Sequence, residues 1–203
     1  MSKAPTYDLG TAALVRNARR AAPTVQPPTL EDEIREALAE PEPDTIPSAI
    51  PGVSDAAWTR FLAAMQVAPL DAVSASNGYG MFEMKMRRLA DLGMARNVSM
   101  TRDPDSGRMV WVGDFVPPYT AERFLGSEEL QRRVLGDSMR RYVDGLRDGT
   151  IAKPAKGWPR GATLSGVLAI LHRCGPNGLE TWTDESKRFP DTAALFARTN
   201  GAF

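Results

Sequence analysis

The residues best placed to do chemistry gather around one glycine-punctuated stretch, 72–84, which reads Ala-Val-Ser-Ala-Ser-Asn-Gly-Tyr-Gly-Met-Phe-Glu-Met. Glu83 sits near its end, and Asp71 lies just before it. A carboxyl group set in a partly apolar cleft has a raised pKa and can exchange a proton near neutrality, as a general acid/base must. Glu83 also stands where a helix over 83–92 is expected to begin, and an acid in a first helical turn is favoured by the dipole without any catalytic role. Asp71, following Pro69, suits a cap or turn. Tyr79, Phe82, Trp111 and Tyr119 are candidate stacking faces for a glycan, because aromatic rings offer flat apolar surface with polar edges. In a domain of this size such rings are also ordinary core residues.

Two further groupings are weaker. His172 and Cys174 have the residue types of a metal pair or a Cys–His nucleophile, but His172 is the single histidine and Cys174 the single cysteine. A packed helix end is the expectation there. Asp103-x-Asp105-x-Gly107 has the start of a calcium loop without the downstream bidentate acid, so a solvated hairpin turn is expected. No metal and no cofactor is expected.

Positioning these groups falls to a chain with two textures. Eight of the sixteen prolines lie at or before Pro51. Proline fixes φ and removes a donor, so residues 1–53 are expected to form an extended arm. Within it, Thr29 caps a short amphipathic helix near 30–39 that places Leu30, Ile34 and Leu38 on one face. An apolar stripe on a polar tail fits an arm that orders on a partner. From Ser54 the pattern is globular, and 54–203 is expected to be one domain. Ser54 caps a helix with Trp58, Phe61, Leu62 and Met65 at helical spacing. Residues 97–113 alternate around a Pro/Asp/Gly turn, which predicts a β-hairpin. Thr120 and Ser127 are caps, and the stripe from Leu130 to Leu146 predicts a helix ending near Gly149. Thr163 opens an apolar helix over 164–172, residues 175–178 form a turn, a short helix carries Leu179 and Trp182, and the last helix covers 191–199. The expected class is mainly α, α+β.

The stretch 72–84 resembles the "A-V-S-x-x-G-x-x-G-L-M-Q-L" segment of lytic transglycosylases, lysozyme-like enzymes that cut peptidoglycan. Ser74, Gly78 and Gly80 carry the match. Residues 84–93 are similar to that family's following segment, Gly175-Pro176 to the Gly-Pro of its "A-Y-N-A-G-P-G-A-V" helix end, and 189–196 to its closing helix. The resemblance implies a lysozyme-like domain over about 54–200. It also implies a catalytic Glu-Ser pair seven residues before Ala72, where this chain has Met65 and Gln66. No Asp or Glu occurs between Trp58 and Leu70. The scaffold is therefore expected without its acid: a catalytically degenerate domain acting as a structural or adaptor component of a phage or phage-like particle, with some glycan binding retained. The alternative is an active lytic transglycosylase or muramidase using Glu83 as acid/base.

Composition sets outer bounds. With 25 basic and 25 acidic side chains the net charge is zero, which argues against sequence-independent nucleic-acid binding. One cysteine allows no intrachain disulfide and suits a reducing compartment. No apolar run approaches a membrane span, and the N-terminus lacks the hydrophobic core of a secretory signal. Synthesis in the cytoplasm and incorporation into a particle is the expected route. The expected partners are other particle proteins, reached through the arm, and peptidoglycan.

Overall fold

The computed structural model describes residues 45–154, 157–158, 161–180, 182 and 190–203. The expected helix near 30–39, with Leu30, Ile34 and Leu38, lies outside the described residues. The described residues form ten elements: α1 (Asp55–Met65), β1 (Gly78–Tyr79), β2 (Met84–Lys85), α2 (Met86–Asp91), β3 (Ala95–Arg102), β4 (Met109–Phe115), α3 (Ala121–Leu125), α4 (Glu128–Asp148), α5 (Leu164–Glu180) and α6 (Pro190–Thr199). Among the described residues the architecture is mixed, with helices and two separate two-stranded antiparallel sheets. Among the described residues no helix is long and apolar enough to cross a membrane.

Local chemistry accounts for most boundaries. The Ser54 hydroxyl accepts from the Ala57 amide at 3.3 Å and opens α1. Thr120 and Ser127 do the same for α3 and α4, accepting from Arg123 and Leu130 at 3.1 Å. α4 stops at Gly149, whose φ of +81° is a left-handed cap. Its apolar stripe turns Leu130, Val134, Leu135, Met139 and Tyr142 inward. There they meet Trp58, Phe61, Leu62 and Met65 of α1, with Leu168, Ile170 and Leu171 of α5, in one core. α6 lies against both α5 and α1.

Three boundaries differ from the sequence expectations. The packed body starts earlier than residue 54: Ile46 donates to Thr59 Oγ1 at 2.9 Å, Ser48 to Asp55 Oδ1 at 2.8 Å, and Ile50 is buried. Isolated prolines leave intervening amides free to bond, so proline content alone put the arm's end at 53. The expected turn at 175–178 shrinks to Gly175, whose φ of +72° breaks α5. Pro176 lacks the amide that a first helical residue leaves unbonded, and the helix resumes there. Finally, the helix expected from Glu83 begins only at Met86, and the stretch before it is a small hairpin.

The β3–β4 hairpin follows the expectation, with Met100 opposite Trp111 and a register shift between Arg96 and Ser99. Asp103 Oδ1 accepts from the amides of Asp105 (3.1 Å) and Ser106 (2.6 Å), which makes the Asp-rich tip a self-bonded turn.

Candidate functional site

The stretch 72–84 folds back on itself. The Ser74 amide donates to Gly78 O at 2.8 Å, the Asn77 amide to Ser74 O at 2.8 Å, and the Gly80 amide to Ala72 O at 2.8 Å. Strand β1 then pairs with β2, with Gly78 opposite Lys85 and Tyr79 opposite Met84. The turn between them ends on Glu83 at φ +49°, a left-handed conformation that non-glycine residues seldom adopt. Glu83 is therefore not in a helical first turn, and no helix dipole explains it.

Close packing explains both glycines. A Cβ on Gly78 would lie 2.8 Å from Glu83 Cβ, across the hairpin. A Cβ on Gly80 would lie 2.1 Å from Gln131 Oε1. Gln131 is wholly buried on α4 and clamps the stretch from below. Its Oε1 accepts from the Met81 amide at 2.7 Å, while Nε2 donates to Leu70 O at 2.8 Å and Phe124 O at 3.0 Å.

Met65, where the resemblance implies the acid, is 1% exposed and sealed in the core. Glu83 forms an ion pair with Arg173 of α5. Burial would raise its pKa, but the hydrogen bond and charge of Arg173, with Lys85 and the Ser74 hydroxyl, outweigh burial and hold it below the usual carboxylate value. The raised pKa that a general acid needs is absent.

Of the four aromatic residues proposed as stacking faces, Phe82 is core. Tyr79 packs edge-on to Phe115, with ring centroids 5.6 Å apart. Tyr119 lines a small cavity of about 260 Å³ beside Arg133 and Arg140. Trp111 lines a groove of about 610 Å³ with Ser76, Lys85 and Arg173. The Arg87 guanidinium lies 6.0 Å over its ring. The four rings thus have four different settings and form no common platform.

His172 is a packed helix residue. Its Nε2 lies 2.6 Å from Phe82 O, and a carbonyl only accepts, so Nε2 carries the proton. Its Nδ1 is sealed without a hydrogen-bond partner among the described residues. Burial pushes its pKa down to about 4; the Phe82 carbonyl opposes this, and Arg173, Arg88 and Lys85 reinforce it. The unfolded chain thus takes up this proton first, from about pH 6.5 downward, so stability is full above that point and falls toward pH 4. The expected loss is about 3 kcal/mol. Urea midpoints at pH 7.5 and 4.5 should show a pH-dependent drop that is much smaller in His172→Gln; equal drops would disprove the linkage. Cys174 Sγ lies 3.7 Å from Thr192 Oγ1, between α5 and α6.

Sequence reasoning missed Gln131, Ser76, Lys85 and Arg173. No protein-family model, no curated protein and no solved structure matches this chain.

Proposed function

We propose that the chain is a catalytically degenerate, lysozyme-like domain that serves as a structural or adaptor component of a phage or phage-like particle. Its N-terminal arm, through Leu30, Ile34 and Leu38, engages other particle proteins. The observation that carries the reading is the state of the one carboxylate in the motif: Glu83 is neutralised by Arg173 instead of standing protonated in a cleft. The sealed position of Met65 supports it further. Any retained glycan contact falls to Trp111, the one proposed stacking face in the groove beside the motif.

A glycosidase of this type needs an acid that is protonated when the substrate binds. Purified full-length protein should therefore leave purified peptidoglycan unhydrolysed in turbidity and zymogram assays between pH 5 and 8. Clearing that disappears in Glu83→Gln would overturn the non-catalytic reading and install Glu83 as acid/base.

A further inference from the structure

The motif hairpin also gathers Ser76 and Lys85, which the glycosidase resemblance does not use. Lys85 Nζ lies 2.6 Å from Ser76 Oγ and 2.9 Å from Ser76 O. Ser76 Oγ lies 3.1 Å from Ser74 Oγ, which itself accepts from the Gly78 amide at 3.0 Å. Glu83, two residues before Lys85, pairs with Arg173. At rest the Lys85 ammonium donates to the Ser76 hydroxyl.

The geometry points to a serine–lysine acyl-transfer centre in which Ser76 is the nucleophile and Lys85 its general base, acting on esters and other activated acyl groups. A weak hydroxyl nucleophile becomes competent when an adjacent base takes its proton, and lysine fills that role when held unprotonated. Both side chains line the groove of about 610 Å³, which gives an incoming carbonyl a place to sit. Met109, Val110 and Trp111 on its wall suit an apolar acyl chain. Arg173 lines the same groove and has guanidinium donors beyond the one given to Glu83, which is the donor chemistry a developing oxyanion needs.

The groups around Lys85 act on its charge in both directions. Burial pushes its pKa down to about 8; the Glu83 carboxylate opposes this and Arg173 reinforces it. Above that pH the neutral amine keeps one N–H on Ser76 O and presents its lone pair to the Ser76 hydroxyl. The hydroxyl proton passes to Nζ as Oγ bonds the acyl carbon. The bond to the leaving alkoxide then breaks, and the alkoxide takes the proton from the Lys85 ammonium. Water repeats the sequence on the acyl-serine with Lys85 again as base, releasing the acid and restoring Ser76.

The test is a fluorophosphonate probe on the full-length chain. Attack by Ser76 forms an Oγ–P bond and expels fluoride, with the hydroxyl proton going to Lys85. Intact mass and peptide mapping should place one adduct on Ser76. Its rate should rise about tenfold between pH 7 and pH 9, following the neutral fraction of a lysine with a pKa of about 8. Ser76→Ala should lose the adduct. Lys85→Arg can still donate to Ser76 but cannot deprotonate, so it should fold with an unchanged circular dichroism spectrum and label at least tenfold more slowly. Folded wild-type protein without an adduct at pH 9 would overturn the assignment. So would an adduct that survives in Ser76→Ala, or wild-type labelling in Lys85→Arg.

Discussion

Gly80→Ala is expected to lower the unfolding free energy by about 3–5 kcal/mol, which is a large share of a typical domain's stability. Two effects add. Holding alanine at the φ of +70° seen at Gly80 costs on the order of 1 kcal/mol. The new methyl would also stand 2.1 Å from Gln131 Oε1, so one of the two must move. The end of a free glutamine would simply swing aside, but this one is wholly buried and holds three main-chain groups. Displacing it strands the Met81 amide and the Leu70 carbonyl, at about 1–3 kcal/mol for each group left without a partner, whereas the Phe124 carbonyl keeps the Ser127 amide at 3.4 Å. Gln131→Leu, which removes the same three bonds without the methyl, should lose a comparable amount. Urea unfolding followed by circular dichroism would measure both. In the double variant Gly80→Ala/Gln131→Ala the methyl has room, so the combined loss should fall at least about 1 kcal/mol short of the sum. A Gly80→Ala protein within 1 kcal/mol of wild type would mean that the clamp does not hold the motif.

This clamp changes what the glycines in 72–84 signify. They resemble an enzyme's motif, yet each has a packing reason that needs no substrate: Gly78 admits Glu83 across the hairpin, and Gly80 admits Gln131 from α4. A sequence likeness built on such glycines reports a way of folding a loop tightly. The chemistry has to be argued from the side chains that the loop then brings together.

What was legible follows from where local physics dominates. α1, α4 and the β3–β4 hairpin carry whole periods of apolar spacing and real caps at Ser54, Ser127 and Gly149, so pattern and structure agree. The β1–β2 hairpin was hidden because two-residue strands are too short to alternate. Glu83 compounded the error, since a left-handed φ is foreseen at glycine or asparagine rather than at glutamate. Gln131 did leave a trace: it falls on the stripe with Val134, Leu135 and Ser138, where a polar residue signals a buried partner. Arg173 left none. It meets Glu83 across 90 residues of sequence, and only the packing of α5 against the motif creates that pair.

Met65→Glu places at the implied position the acid that the resemblance calls for, and it is expected to damage the fold without creating an enzyme. Met65 is 1% exposed, in one core with Trp58, Phe61 and Leu62. Exchanging it for a carboxyl removes apolar burial and strands a polar group, together about 3–5 kcal/mol. The penalty has a pH signature. Burial raises the folded pKa of such a glutamate above its unfolded value of about 4.3, so the unfolded chain loses the proton first as pH rises. Each unit of that shift removes about 1.4 kcal/mol once pH has passed through the folded pKa. The deficit relative to wild type should therefore be smaller at pH 4.5 than at pH 8, whereas Met65→Leu should lose less than about 1.5 kcal/mol at either pH. Denaturant titrations at the two pH values, with a peptidoglycan turbidity assay at pH 4.5 where the deficit relative to wild type is smallest, would decide. A Met65→Glu protein as stable as wild type at pH 8, or one that clears peptidoglycan, would show that position 65 opens to a cleft, and the acid-free core would have to be abandoned.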